Sequence, residues 1–400
     1  MDKPSETQSS AAIERWLIEH EGNVTDAATL FSDLCERLLA ADIPLVRAST
    51  GLPALNPQAF TFNLRWSRGA CTEEIIRQHG IESTSTYINS PVAELHRGAP
   101  FVRRRLDIPD PQMDFPILHE LRDEGVTDYL ALPLKFTEGR SSFVGWGSDR
   151  PGGFTDRDIA LLQGIMPALS LRFEIVATRR MARDMLNTYL GHDAASRVLA
   201  GAVQRGTGTG IRAAIWSSDL RGFTAMADRM SIHDLVTTLD DYFECMARPV
   251  QEHGGEILKF VGDGMLAIFR CEPDDATACT RALDAAFDAF ARLHELNQGR
   301  AIGGGAPLRT GIALHVGEVI YGNIGATDRL DFTVIGAAVN EVARTETMCA
   351  RLGRPLLATA AFAANDRRKT MESVGFHALR GMREPRELFA APLHMISGES

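Results

Sequence analysis

The most informative pattern of hydrophobic and polar positions lies in the second half of the chain. Residues 256–269, EILKFVGDGMLAIF, contain two apolar runs joined by Gly262-Asp263-Gly264. Two β-compatible runs around an Asp-Gly step predict a β-hairpin. Because both arms are almost wholly apolar, we expect the hairpin to be largely buried. Lys259 in the first arm is then conspicuous, since lysine is almost never fully buried without a partner.

Asp263 at the tip of this hairpin has two interpretations. Aspartate is common in tight turns because its side chain bonds to nearby backbone groups, so Asp263 taken alone is an ordinary turn residue. The alternative is a functional carboxylate. The rest of the chain decides between them.

The first half of the chain predicts a mixed domain of helices and strands. In the second predicted helix the apolar residues recur at helical spacing, and Asn23 or Thr25 is expected to cap it. In chain order, the pattern predicts helices over 11–20 and 25–41, β-structure over 43–67 broken at Gly51, Pro53 and Pro57, short helices over 90–95 and 114–122, strands over 129–136 and 142–146 joined by a turn at Glu138-Gly139, and a helix over 155–175.

A further helix is predicted over 179–202, and the glycine-rich residues 203–210, VQRGTGTG, predict a flexible break. We therefore expect a disordered tail over 1–10, a regulatory domain over 11–178, a linker over 179–210 and a second domain over 211–400.

The second domain reads as β-α-β-β-α-β, which predicts an α+β fold of the ferredoxin-like α/β sandwich type. Its predicted elements are strands over 212–216, 308–315 and 318–324, the hairpin, helices over 231–252 and 276–296, and a loop over 299–305.

Composition and charge exclude little beyond extreme classes. The chain has 44% hydrophobic and 24% charged residues, as ordinary globular proteins do, and its net charge of -10 gives no argument for a nucleic acid or an anionic membrane as partner. None of the six cysteines lies in a CxxC motif or near a histidine at zinc-ligand spacing. The N-terminus lacks an apolar signal segment, and no apolar run is long enough to span a bilayer. We expect a cytoplasmic protein with no membrane span.

Polar residues at the ends of the predicted strands supply the candidate chemistry. Asp219 ends the first strand of the second domain and is followed by a loop with a glycine, an arrangement that suits a metal ion and phosphates. Asp263 can lie beside it on a neighbouring strand, and two converging carboxylates can hold two Mg²⁺ ions. Downstream, Asn340 and Arg344 share one helix face through their i, i+4 spacing.

Four segments together resemble the class III nucleotidyl cyclase catalytic domain, over about residues 210–365. They are SDLRGFT, GGEILKFVGDGMLAIF, GIALHVGEVIYGNIG and DFTVIGAAVNEVAR, in the order and spacing of that family. By that resemblance, Asp219 and Asp263 look like the metal-binding pair. Lys259 and Thr333 look like the residues that select the base, and Asn340 and Arg344 look like the transition-state residues.

The resemblance implies an adenylyl cyclase that converts ATP to 3′,5′-cyclic AMP with two Mg²⁺ or Mn²⁺ ions per site. In the family, Lys paired with Asp or Thr marks the adenylyl type. It also implies a homodimer with two composite active sites. Backbone N–H groups from Leu220, Arg221, Gly222 and Phe223 are expected to cradle the phosphates. Arg380 or Arg383 is a candidate for the family's triphosphate-binding lysine, and no residue stands out as the general base.

The first half resembles a GAF sensory domain over roughly residues 25–178, as a pattern of elements. The strand pair ALPLKF and SSFVGW, the loop DRPGGFTDRD and the following helix carry this resemblance. It implies regulation of the second domain by an unknown small-molecule or protein ligand.

Alternatives remain at both levels. The whole chain can instead be a guanylyl or dual-specificity cyclase, because a threonine hydroxyl both donates and accepts hydrogen bonds, or a nucleotide-binding sensor without turnover. At the level of residues, Asp219 can be a helix cap, and Asn340 with Arg344 can be a solvated helix face. His315, on an apolar strand, is expected to be a core histidine with its hydrogen bonds satisfied.

Overall fold

The computed structural model describes residues 10–396 apart from 20–25, 57–58, 79, 138, 140, 202–203, 205, 207 and 327–328. The chain divides into two compact units, Met1–Thr188 and Tyr189–Ser400. The division falls inside the predicted linker. The tail over 1–10 lies outside the described residues, except for Ser10.

The first unit is built on one antiparallel sheet with its strands in the order β3-β2-β1-β6-β5-β4. Its helices are α1 (Ser10–Glu19), α2 (Ala27–Ala40), α3 (Ser85–Ile88), α4 (Pro91–His96), α5 (Pro116–Asp123), α6 (Asp156–Gly164) and α7 (Met166–Leu190), and its strands are β1 (Leu45–Asn56), β2 (Ala59–Ser67), β3 (Glu73–Arg77), β4 (Val102–Arg105), β5 (Asp128–Lys135) and β6 (Ser141–Ser148). The apolar face of α2 and the side chains of Trp66 and Trp146 form its main core.

The predicted breaks at Gly51 and Pro53 are wrong, because β1 passes through both residues. The pairing of β1 with β6 ends at Thr50, so Pro53 has a neighbouring strand on one side only. A proline is tolerated in such an edge position, since it has no N–H to donate to a second neighbour. The predicted break at Pro57 and the turn at Glu138 lie outside the described residues.

The observed cap of α2 is Asp26, whose Oδ1 accepts a hydrogen bond from the Ala28 N–H at 3.1 Å. The two predicted caps, Asn23 and Thr25, lie outside the described residues. An aspartate one residue before a helix satisfies a first-turn N–H as well as an asparagine does.

The helix predicted over 179–202 is two helices. α7 ends at Leu190, and α8 (His192–Leu199) follows after Gly191, whose φ of 82° is a conformation that glycine adopts without strain. Ala194 of α8 is buried in the core of the second unit and Val198 packs against that core, so this part of the predicted linker belongs to the second unit. In the described part of the chain no single helix is long and apolar enough to cross a membrane. Taken together, α6 and α7 have the length and apolar composition of a span, but they are bent by 41° where they meet.

The second unit follows the predicted β-α-β-β-α-β order. Its helices after α8 are α9 (Phe223–Ala227), α10 (Ile232–Glu252), α11 (Asp275–Ile302), α12 (Ala337–Leu352) and α13 (Ala360–Ala363), and its strands are β7 (Gly208–Leu220), β8 (Glu256–Val261), β9 (Gly264–Arg270), β10 (Thr310–Ala326), β11 (Arg329–Ile335), β12 (Leu356–Thr359), β13 (Glu372–His377) and β14 (Arg386–Ala390). The sheet has the order β13-β14-β12-β10-β7-β9-β8, and β11 pairs with β10. α10 and α11 pack on one face, while α8 and α12 pack on the other.

Three boundaries differ from the sequence prediction. β7 begins at Gly208, inside the predicted flexible break, and α11 continues to Ile302, inside the predicted loop. The two strands predicted over 308–324 are the single strand β10. Gly317 does not interrupt β10 but gives α12 room, since a Cβ there would lie 2.9 Å from the Ala338 Cβ.

The predicted hairpin forms as β8 and β9, but its expected burial is wrong for one arm. β9 lies between β7 and β8 and is mostly buried, whereas β8 is the edge strand of the sheet. Phe260 and Val261 of β8 are therefore 50% and 61% exposed. Apolar composition alone does not distinguish a central strand from an edge strand that another surface covers.

Candidate active site

Asp219 and Asp263 lie side by side, as predicted. Asp219 pairs with Gly264 across β7 and β9, and the Leu220 N–H donates to the Asp263 carbonyl at 3.3 Å. Gly264 is required for this approach, because a Cβ there would lie 2.9 Å from the Ser218 carbonyl and 3.3 Å from Asp219 Oδ1. The Asp-Gly tip thus places one carboxylate beside the end of the neighbouring strand.

The electrostatics of this pair fit a cation site. Partial burial raises the pKa of Asp219, the nearby charge of Asp263 raises it further, and Arg221 opposes the rise. No group of three or more His, Cys, Asp or Glu side chains among the described residues could hold a metal ion. Two carboxylates suit Mg²⁺ or Mn²⁺, whose remaining ligands commonly come from water and substrate phosphates.

Two buried hydroxyls support Asp219 from behind. The Thr310 hydroxyl donates to the Asp219 carbonyl at 3.0 Å, and it lies 2.8 Å from the hydroxyl of Tyr242. Both residues are buried. The sequence analysis missed them, because each occupies an apolar-patterned position where a hydroxyl gives no separate signal.

The predicted phosphate cradle is only partly available. The N–H of Leu220 is used by Asp263, and the N–H of Arg221 donates to the Arg309 carbonyl at 2.8 Å. These two predicted phosphate donors are therefore already bonded within the chain, because sheet pairing continues one residue past the end of β7. Gly222, with a φ of 75°, and Phe223 turn the chain into α9 and remain as donors.

The side chain of Arg221 points to α12. Its Nη2 donates to Glu346 Oε1 at 2.6 Å and to the Glu346 carbonyl at 3.1 Å. Burial raises the pKa of Glu346 to about 7, against the opposing effect of Arg221. The sequence analysis missed Glu346, although its position four residues after Val342 put it on the inner face of α12.

Lys259 and Thr333 lie on β8 and β11, two strands in contact with each other. Lys259 has no hydrogen bond or ion pair within the described part of the chain. Thr333 is buried, and its hydroxyl has no hydrogen-bond partner there either. A buried hydroxyl without a partner is costly, so it marks a place where a ligand can bond.

Asn340 and Arg344 project from α12, where Asn340 is exposed and Arg344 half-buried. Between these side chains and the aspartate pair, the described residues show no hydrogen bond or ion pair. A Cβ at Gly381 would lie 3.5 Å from Arg344 Nη2, so the loop with the exposed Arg380 and Arg383 lies beside Arg344. The predicted site residues thus form separate groups within one chain.

His315 is a core histidine, as expected. It is buried, and its Nδ1 lies 2.8 Å from the Thr359 hydroxyl. Desolvation lowers its pKa.

Comparisons with known proteins converge on one family. Residues 212–384 match the family model of the adenylate and guanylate cyclase catalytic domain. The chain is 34% identical over 167 residues to an adenylate cyclase of Anabaena cylindrica, covering 41% of this chain and 32% of that protein. It is 30% identical over 147 residues to adenylate cyclase 1 of Rhizobium meliloti, covering 37% of this chain and 22% of that protein. The chain thus spans a third or less of the length of these two relatives.

Two solved structures are similar to part of the chain. The guanylyl cyclase Cya2 is 29% identical, with a TM-score of 0.41, and the match covers 46% of this chain and 93% of that one. A bacterial light-regulated adenylyl cyclase is 20% identical, with a TM-score of 0.49, and the match covers 69% of this chain and 88% of that one.

Proposed function

Residues 212–384 belong to the family of adenylate and guanylate cyclase catalytic domains, and on that premise we propose that the chain converts ATP to 3′,5′-cyclic AMP and pyrophosphate. The single observation that carries the proposal is the half-buried pair of carboxylates, Asp219 and Asp263. Burial and the nearby charge of Asp263 raise the pKa of Asp219. Among the described residues, no cationic side chain is bonded to either carboxylate. The reaction needs the ribose 3′-OH to attack the α-phosphorus in line with the departing pyrophosphate.

The chain's own residues position the nucleotide. Asp219 and Asp263 would hold two Mg²⁺ or Mn²⁺ ions, which would lower the pKa of the ribose 3′-OH and neutralise phosphate charge. The N–H groups of Gly222 and Phe223 donate to the phosphates. Arg344 places fixed positive charge where charge develops on the α-phosphate, and Asn340 orients the ribose. Arg380 or Arg383 binds the triphosphate.

Lys259 and Thr333 select the base. The lysine can only donate, which suits adenine N1, while the buried Thr333 hydroxyl can accept from the adenine amino group. The unsatisfied hydroxyl of Thr333 supports a direct contact with the ligand. Because that hydroxyl can also donate, turnover of GTP is the second candidate function.

We place the two halves of each site on different chains of a homodimer. The metal pair and phosphate loop come from one protomer, and Lys259, Thr333, Asn340 and Arg344 come from its partner. The absence of any described bond between the aspartates and Asn340 or Arg344 supports this arrangement. So does the exposed apolar edge strand β8, since patches of this kind mark interaction sites.

We assign the first unit a regulatory role as a GAF-like domain that binds a small molecule or protein. Its own core and its division from the catalytic unit support this assignment.

The direct test is an assay of the purified protein with Mg²⁺ or Mn²⁺ and either ATP or GTP. We expect cyclic AMP as the main product and its loss in Asp263→Ala. A folded dimer that makes no cyclic nucleotide with either metal, and only binds ATP, would indicate a sensor without turnover. Equal rates with ATP and GTP would overturn the base assignment.

A further inference from the structure

The Arg221 side chain runs from the metal loop, the segment 219–223, to the inner face of α12. The Nη2 of its guanidinium donates two hydrogen bonds to Glu346, one to the carboxylate at 2.6 Å and one to the backbone carbonyl at 3.1 Å. The Glu346 side chain is 9% exposed and the Arg221 side chain 24%. A charge-assisted pair that is this shielded from water is stronger and more rigid than an exposed one.

The sheet makes room for this contact at one position. Gly311 on β10 pairs with Asp219 on β7, and the Arg221 guanidinium lies against it. A Cβ at residue 311 would lie 1.9 Å from Arg221 Nη2 and 2.7 Å from its Cζ. Any other residue at this position would displace the guanidinium.

One face of α12 packs against the sheet and contacts Arg221, and another face carries two of the predicted site residues. Ala338, Val342 and Cys349 pack its inner face against the sheet, and Glu346 belongs to that face. Asn340 and Arg344 lie on another face of the same helix. Because all of these residues belong to one helix, a contact that holds α12 in place also determines where the side chains of Asn340 and Arg344 lie.

We propose that Arg221 and Glu346 are positioning residues that connect the two active sites of the dimer. This inference rests on the proposed function and deepens it. Within one chain, the pair joins the metal loop of that chain's site to the helix whose Asn340 and Arg344 serve the other site. The metal loop of one site and the α12 helix of the other site therefore hold each other in position.

The test uses a dimer with a single working site. One protomer carries Asp219→Ala and its partner carries Arg344→Ala, and two different tags are used to purify the mixed dimer. Its working site combines the metal loop of the Arg344→Ala protomer with Asn340 and Arg344 of the Asp219→Ala protomer. Activity of this dimer itself tests the proposed function, so a dead dimer removes that proposal and the inference with it.

Glu346→Gln is then added to the Asp219→Ala protomer, whose own metal loop is not used. We expect kcat of the working site to fall about tenfold, with the dependence on metal concentration unchanged, because only the placement of α12 is altered. Unchanged kcat would overturn the inference while leaving the proposed function intact. If the Arg221–Glu346 pair acts only on the metal loop of its own chain, Glu346→Gln should change the dependence on metal concentration. That change should then appear only when Glu346→Gln is placed in the Arg344→Ala protomer, whose metal loop is in the working site.

Gly311→Ala in the same Asp219→Ala protomer gives a second, independent disturbance. We expect it to reproduce the fall in kcat, and to add nothing further when Glu346→Gln is already present, because both changes release the same guanidinium. Glu341→Gln is the matched control, since it removes a carboxylate from α12 and leaves the Arg221 contact in place. A full additional loss in the double variant, or an equal loss in the control, would contradict the inference.

Discussion

At the scale of single residues, the hydroxyl of Thr333 is buried without a partner among the described residues, whereas the equally buried hydroxyl of Thr310 is bonded to Asp219 and Tyr242. The two threonines therefore form a matched pair. The Thr310 hydroxyl stabilises the free protein, and we propose that the Thr333 hydroxyl bonds to the nucleotide. Substitution by valine keeps the side-chain shape and removes the hydroxyl in both.

We expect Thr333→Val to lower kcat/KM for ATP by about 3- to 10-fold, which corresponds to one hydrogen bond. The free energy of unfolding of the nucleotide-free protein should not fall, because no bond is lost. Thr310→Val should lower that free energy by about 1 kcal/mol or more. Urea unfolding and steady-state kinetics check both. A large loss of stability in Thr333→Val would show that its hydroxyl is bonded in the free protein.

His315 gives a prediction of pH dependence. Desolvation lowers its pKa in the folded state, so the unfolded state binds the proton more readily. The free energy of unfolding should therefore fall as the pH drops below about 6.5, the ordinary histidine pKa. Urea unfolding between pH 7.5 and 5.5 should show a smaller acid loss in His315→Gln than in the native chain. The exposed His233→Gln serves as control, and an identical pH profile of His315→Gln and the native chain would contradict the assignment.

The sequence predicted that Asp219 and Asp263 would lie close together, but it did not predict the side-chain contacts that join distant segments around them. Asp219 and Asp263 were expected to converge because strand ends and a hairpin tip fix where a carboxylate lies. The contact of Arg221 with Glu346 joins residues 125 positions apart, and it depends on the packing of α12, which the local pattern does not contain. For the same reason, the local pattern does not show that two of the four predicted phosphate donors, Leu220 and Arg221, bond to backbone carbonyls.

At the scale of secondary structure, α8 is attached to the sheet by a partly buried polar network. The Tyr321 hydroxyl on β10 lies 2.8 Å from Asp193 Oδ2 and also bonds to Glu256, and Arg270 Nη2 donates to Asp193 at 2.7 Å. Burial raises the pKa of Glu256. The network joins the start of the second unit to β8, the strand that carries Lys259.

We expect Tyr321→Phe to lower the free energy of unfolding of the second unit by about 1–3 kcal/mol, because it removes the hydroxyl that bonds to two partly buried carboxylates, Asp193 and Glu256. Differential scanning calorimetry of the full chain should show a lower Tm for one transition only. Tyr189→Phe, at a residue that is 80% exposed, is the control. An unchanged Tm in Tyr321→Phe would show that the network is not a stabilising one.

Elements with a clear period were predicted with small boundary errors, such as α10 after its cap Ser231. The errors at Gly191 and Gly317 have one cause. A glycine can break a helix, as Gly191 does, or let two elements approach within a continuous strand, as Gly317 does, and the local sequence does not distinguish these uses.

At the scale of the whole molecule, the second unit exposes apolar side chains on both edge strands of its sheet. Phe260 on β8 is 50% exposed and Phe376 on β13 is 71% exposed. We propose that only the β8 edge lies in the dimer interface, because β8 carries Lys259 toward the other site. Phe260→Ser should shift the monomer–dimer equilibrium toward monomer in sedimentation equilibrium, and Phe376→Ser should not. The reverse result would place the interface at the other edge.

We propose that each active site takes its metal pair from one protomer and its transition-state residues from the other. Mixing the inactive variants Asp219→Ala and Arg344→Ala tests it most directly. Random exchange makes about half of the dimers mixed, each with one intact site of two, so the mixture should recover about a quarter of the native rate of cyclic AMP formation. A mixture that exchanges subunits and stays as inactive as the two separate variants would contradict the account.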